Sequence, residues 1–262
     1  MNKLYTLSIR LVPEAFSYLI YNPDNKENCY YQQVVTDSLQ SIAANVKTFL
    51  LPDIPKEPFE QVNVLIQTNR YTSVPLELFD EEQMETLFYQ NFPKKSNEVI
   101  LCNILGKSNI VVLVGLDKLS HLFLSERFPN ARFFASISPE IEYATNFSDP
   151  NVNHLYAHIQ PDCIEVIAIK DNKLQLINSY PTQNVEDCCY HLLNIWKTIG
   201  LNQETDILHL CGRFKHYHPV SQVLTSYIQD IHPEEVYMDI RKYYPYIPSD
   251  LPFDIQSLLI CE

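Results

Sequence analysis

An order of predicted elements that occurs twice constrains this chain more than any other feature. Leu4 to Arg10 alternates apolar and polar residues by two, Val12-Pro13-Glu14 makes a tight connection, and Phe16 to Tyr21 returns as a second strand. A polar turn over Asn22 to Asn28 leads to a third strand around Tyr30 to Val35. Asp37 then offers a cap for a helix with Leu39, Ile42, Ala43, Val46 and Phe49 on one face. The Pro-rich stretch Pro52 to Pro58 ends that helix and delivers the mostly apolar run Val62 to Ile66, the pattern of a strand covered on both faces.

From His154 the order returns. His154 to Ile159 turns at Gln160-Pro161-Asp162 into Ile164 to Ile169, and Asp171-Asn172-Lys173 introduces a third strand, Leu174 to Ser179. A helix starts near Asn184, with Val185, Cys188, Cys189, Leu192, Leu193, Trp196 and Ile199 as its apolar stripe and Gly200 as a left-handed cap. The strand Ile207 to Cys211, Gly212, a helix opening at Pro219 and a short strand, Glu235 to Met238, follow. Strand, strand, strand, helix, strand, twice over, is a topological duplication carried by element order alone.

The block Arg70 to Gly115 reads as an inserted subdomain, with a helix from Asp80 through Phe88 and strands at Val99 to Leu105 and Ile110 to Gly115. The chain rejoins the first half through a helix near Leu119 to Arg127, a strand at Arg132 to Ala135 and a helix after Ser138-Pro139. Arg241 to Pro252, rich in tyrosine and proline, reads as a packed loop before a last helix near Ile255 to Leu259. The expected division is a first lobe over residues 1–150, with the insertion at about 70–115, and a second lobe over residues 151–262.

This order resembles the ribonuclease H-like, actin-like ATPase architecture of actin, sugar kinases and Hsp70, and the insertion resembles that of the bacterial actin relatives FtsA and PilM. The resemblance implies an α/β fold, a duplicated ribonuclease H-like unit with mixed sheets flanked by helices and a small α+β insertion. Leu4-Tyr5-Thr6-Leu7-Ser8-Ile9 and Ile207-Leu208-His209-Leu210-Cys211-Gly212 are similar to strings of a bacterial family of unknown function that shares this architecture.

In the actin-like ATPases, the resemblance implies, both hairpin turns carry Asp with Gly, and a Gly-Gly pair after a strand of the second half approaches the adenosine. Carboxylates hold the metal, and glycines let main-chain N–H groups reach phosphates. Here the first turn, Arg10-Leu11-Val12-Pro13-Glu14, has neither Asp nor Gly, and its proline removes a donor. The second, His158-Ile159-Gln160-Pro161-Asp162-Cys163, keeps Asp162 without glycine, and Cys211-Gly212-Arg213 keeps one glycine of the pair. The vestigial ligand-binding positions are therefore Gln160, Asp162, Gly212, Arg213 and His216, with no catalytic residue and no metal ligand assigned. The chain holds 4 glycines in 262 residues, so glycine-rich phosphate loops are nearly excluded.

With 19 basic and 32 acidic residues the formal charge is −13, which repels a phosphate backbone, and no nucleic-acid partner is expected. The longest apolar stretch, Ile110 to Leu116, is too short to span a bilayer, and the N-terminus alternates instead of showing a signal-peptide core. A cytoplasmic protein without a transmembrane segment is expected, its 7 cysteines mostly buried thiols.

Zinc is the sharp reading of Cys188, Cys189, His191, His209, Cys211, His216 and His218, but no cysteine pair has structural-site spacing. His154 and His158 stand four apart in a strand, about 13 Å at 3.3 Å per residue, too far to clasp one ion, and read as solvated or partly packed. Cys211 could serve as a thiol nucleophile beside Gly212-Arg213, or simply end a buried strand. Tyr30-Tyr31 and Tyr243-Tyr244-Pro245-Tyr246 suit recognition or internal packing equally. The function expected is a non-catalytic, pseudo-ATPase scaffold, without a cofactor, that binds a protein partner. A second copy is a further candidate partner, through the strand edge of the insertion. The alternative is a nucleotide- or phosphate-binding enzyme using the interlobe cleft.

Overall fold

The computed structural model describes residues 5–12, 15–23, 29–37, 39–55, 58–212, 214–233, 241–242, 244–248 and 251–261, without the side chains of residues 214 and 216. The chain forms two compact units. One comprises Met1–Pro139 with Tyr244–Ile255, the other Glu140–Tyr243 with Gln256–Glu262.

The first unit holds β1 (Thr6–Val12), β2 (Ala15–Tyr21), β3 (Cys29–Val34), β4 (Gln61–Ile66) and β8 (Ala131–Ala135) in the order β3-β2-β1-β4-β8. β1 and β2 run antiparallel, and β1, β4 and β8 run parallel. The inner strand β4 is covered on both faces: Val62 through Ile66 are all buried, as their mostly apolar run requires. The helix after β3 departs from its expected start. Asp37 makes a turn with the Leu39 N–H, Leu39 stays 94% exposed, and helix α1 (Ile42–Asn45) is capped by Ser41 instead. Val46–Leu50 then widens to a π-helix, with the Leu51 N–H bonded to Val46 O, before α2 (Leu51–Asp53). Pro52 has no N–H with which to continue an α ladder, which accounts for the local rewinding.

The insertion is a three-stranded antiparallel sheet, β5-β7-β6, formed by β5 (Tyr71–Pro75), β6 (Glu98–Leu105) and β7 (Ile110–Asp117). β5 escapes sequence reading because it is short, polar and ends in proline, features that suit an edge. The expected helix from Asp80 is a 3-10 turn, Glu81–Gln83, followed by α3 (Met84–Tyr89). α4 (Lys118–Arg127) leads to β8. Buried Asn103 pins β6 to that region: its Oδ1 accepts from Ala135 N and Ser138 Oγ, and its Nδ2 donates to Phe133 O.

The second unit repeats the arrangement with β9 (His154–Ile159), β10 (Cys163–Lys170), β11 (Lys173–Pro181), β12 (Ile207–Gly212) and β13 (Asp230–Pro233) in the order β11-β10-β9-β12-β13. α5 (Ile137–Phe147) precedes β9 in the chain, and α6 (Val185–Ile199) packs its apolar stripe on the sheet around Leu192 and Trp196. Asn184 accepts from the Asp187 N–H, and Gly200 ends α6 at φ +73° with its N–H on Lys197 O and Trp196 O. α7 (Phe214–Leu224) starts five residues before the expected Pro219, which lies inside it. The expected strand Glu235 to Met238 falls outside the described residues. α8 (Phe253–Cys261) closes the described chain. Among the described residues no helix is long and apolar enough to cross a membrane. No cysteine among the described residues forms a disulfide, and only Cys188, Cys189 and Cys211 are buried; the other four are partly exposed because they lie at element ends and sheet edges.

Candidate functional site

The C-terminal ends of β1 and β9 occupy matching places in the two sheets. On β1, Arg10 lies opposite Ser17 of β2 and Leu65 of β4. Its Nε donates to Asp254 Oδ2 at 2.6 Å and its Nη2 donates to Gln67 Oε1. Asp254, in the first turn of α8, has a side chain only 1% exposed. A guanidinium is a donor only, so this end of β1 is closed by an internal ion pair.

On β9, His158 lies opposite Glu165 of β10 and Cys211 of β12, so the three share one face of the sheet. The register puts His158 where the first unit has Arg10, Glu165 where it has Ser17, and Cys211 where it has Leu65. Glu140 of α5 reaches the same face, with Oε1 2.9 Å from His158 Nδ1. Gln160 Nε2 donates to Glu165 Oε2 at 2.5 Å. One ligand-type atom from each of Glu140, His158 and Glu165 lies within 4.8 Å of the other two. Burial, and then the Glu140 charge, push the Cys211 thiol well above its ordinary range. A thiol so held is a packed side chain, not a nucleophile.

Gly212 has φ +121°, and a Cβ there would sit 2.4 Å from Ile159 O. The close approach of β12 to β9 therefore accounts for this glycine without a ligand. Of the other expected positions, Gln160 joins the Glu165 group, whereas Asp162 is exposed at the turn, where its main-chain O accepts from the Thr182 N–H. Arg213 lies outside the described residues; His216 belongs to α7, and its side chain is likewise not described.

The histidines of β9 are buried, not solvated, because both faces of this central strand are covered: His154 is 3% and His158 9% exposed. The cysteine and histidine set read from the sequence is dispersed. Cys188 and Cys189 pack in the core under α6, His191 stacks on Tyr180, and His209 lies in a separate ring stack. In that stack His154 Nδ1 is 2.9 Å from His209 Nε2, and the Tyr156 ring covers His209 at 4.2 Å. Burial lowers both imidazoles from their ordinary range.

A second feature is a cavity of about 580 Å³ in the first unit, at the ends of β1 and β4. Leu11, Val12, Ile66, Gln67 and Thr68 line one side, and Arg70, Lys94, Lys95, Glu98 and Gly115 another. Arg70 holds Glu98 in a two-pronged pair of 2.8 and 2.7 Å, stacked over Phe88 and Phe92. Gly115 is needed beside it, since a Cβ would lie 2.6 Å from Glu98 Oε1.

The model of the family described as protein of unknown function (DUF3822) matches residues 1–231. The chain belongs to DUF3822. A protein from Bacteroides thetaiotaomicron VPI-5482, described as having an actin-like ATPase fold and unknown function, is similar to this DUF3822 chain at 36% identity with a TM-score of 0.84. The alignment covers 99% of this chain and 97% of that one. The PilM-PilN type IV pilus biogenesis complex aligns over 88% of each chain at 11% identity and a TM-score of 0.52, a likeness of fold. No curated protein sequence matches. The fold of this DUF3822 member is thus the actin-like ATPase fold.

Glu140 and Glu165 are not among the residues expected from the sequence, and His158 is weighed there only as a partner of His154 and set aside. A carboxylate inside Ile164 to Ile169 and an imidazole inside Leu155 to Ile159, each within a run buried on both faces, were the available signals. Glu140 gave none, because its partners come only from tertiary contact.

Proposed function

We propose that this chain is a non-catalytic, cytoplasmic pseudo-ATPase scaffold of bacteria, working by binding a protein partner. The observation that carries the reading is Arg10, which at the end of β1 is held by Asp254 and Gln67. The actin-like ATPases place a metal-holding carboxylate in this hairpin; an arginine engaged by an internal carboxylate cannot perform that task. Gly212, the one remnant of the adenosine side, is accounted for by its approach to Ile159. The cavity lined by Leu11, Val12, Thr68 and the lysines at 94 and 95 suits a chain segment with apolar side chains and an acidic group.

Two measurements test this. Millimolar ATP with magnesium leaves the melting temperature unchanged; a magnesium-dependent rise, abolished by Gly212→Trp, would overturn the pseudo-ATPase part. A protein recovered with the wild-type chain from its native cells is lost with Thr68→Trp, which plugs the cavity; equal recovery would place the partner elsewhere.

A further inference from the structure

We propose that Glu140, His158 and Glu165 form a protein-only site for a first-row divalent cation, Zn²⁺ or Mn²⁺, within the second unit. The site goes beyond the scaffold reading and needs no nucleotide. It comprises one imidazole nitrogen and two carboxylate oxygens from three separate elements, β9, α5 and β10, within 4.8 Å of one another. Protein ligands about 2.1 Å from a tetrahedral ion lie roughly 3.4 Å apart, so small side-chain movements suffice to close the set. The imidazole turns selection from Ca²⁺ and Mg²⁺ toward transition ions, while two carboxylates keep Mn²⁺ in contention.

The surroundings support a built site. The three side chains are 2%, 9% and 4% exposed in the order named, which leaves them few alternative rotamers. Gln160 Nε2 donates to Glu165 Oε2, the kind of outer contact that orients a ligating carboxylate. His158 Nδ1 and Glu140 Oε1 face each other at 2.9 Å, a contact that shares one proton. A cation entering between them displaces that proton to solvent and ties α5 to the β9–β10 hairpin. Three protein ligands leave a fourth position for water. At the matching register position of the first unit Arg10 offers no lone pair.

The test uses the full chain, stripped with a chelator and titrated without nucleotide by Co²⁺, Zn²⁺ and Mn²⁺. One equivalent binds per chain, the melting temperature rises, and bound Co²⁺ shows visible bands without a thiolate charge-transfer band. Glu165→Gln weakens binding by at least tenfold, and Gln160→Ala by about tenfold or more. Asp230→Asn, in the separate pair with His232, leaves binding unchanged. Absence of uptake, a thiolate band, or unchanged affinity in Gln160→Ala and Glu165→Gln would each overturn the site. Should Glu165→Gln fail to fold, the wild-type Co²⁺ spectrum and Gln160→Ala decide. Because nucleotide is omitted, the outcome is independent of the magnesium-ATP measurement.

Discussion

The two units place chemically different residues at the same point of the same sheet order. In the first, Arg10 is paired with Asp254 of α8; in the second, His158 is paired with Glu140 of α5. Each carboxylate comes from a helix that lies beyond the fifth strand of its repeat in the chain, α5 after β8 and α8 after β13. A strand end inside a sheet covered on both faces needs such a partner for any polar side chain, because an unpaired buried polar group costs about 1–3 kcal/mol. The solutions then diverge. Arg10 is permanently charged and only donates, so the first unit closes on itself. His158 carries a lone pair and faces two carboxylates, so the second unit retains a set of atoms able to hold a cation.

The neighbouring positions differ in the same sense. The first unit has Thr6, Ser8, Asn63 and Ile66 where the register gives the second His154, Tyr156, His209 and Gly212. One end is built of permanently neutral or permanently charged groups, and the other of groups that titrate or depend on a special backbone conformation.

The largest expected effect breaks the closed pair. Arg10→Ala leaves Asp254 buried without its cation and costs about 3–5 kcal/mol, read as a fall in the denaturant midpoint; a loss under about 1 kcal/mol would show that the pair does not close the first unit. In the second unit Gly212→Ala forces a side chain into a positive-φ conformation against Ile159 O and costs upwards of about 2 kcal/mol. Trp196, the sole tryptophan and buried in the core of the second unit, reports that loss by fluorescence. Gly200→Ala, at the left-handed end of α6, costs about 1 kcal/mol by the same readout.

The gentlest effect near neutrality is a pH dependence that His154 and His209 give the second unit. Burial keeps His154 and His209 neutral in the fold, while the unfolded chain takes up their protons near pH 6.5. Their contribution is therefore complete above about pH 6.5 and is lost as the pH falls below it. The Trp196 transition weakens at pH 5.5 relative to pH 7.5, and His209→Phe flattens that difference. An equal dependence in the variant would assign it to other groups.

Period-two and period-three-to-four patterns made most elements legible, because a strand or helix with a covered face must repeat its apolar residues at that spacing. α6 shows this best: its stripe, its Asn184 cap and its Gly200 terminus all follow from local chemistry. Where neighbours overrode local preference the reading slipped. Ser41 caps α1 in place of Asp37, whose main chain exchanges hydrogen bonds with the buried Asn45 side chain, and Pro219 sits within α7. The site was less legible still. Turn residues that bear on nucleotide binding are contiguous in the chain, so the absence of Asp and Gly from Arg10-Leu11-Val12-Pro13-Glu14 could be read directly.

By itself, then, the sequence determined the duplicated strand and helix order, the inserted block and the missing phosphate-turn glycines, since all of these are properties of near neighbours along the chain. Only the tertiary structure decided that Arg10 meets Asp254, 244 residues away, and that Glu140 meets His158 and Glu165. The reason is register and helix placement. Which side chains share a sheet face across strands, and which carboxylate a helix delivers to them, depend on contacts that no local spacing encodes.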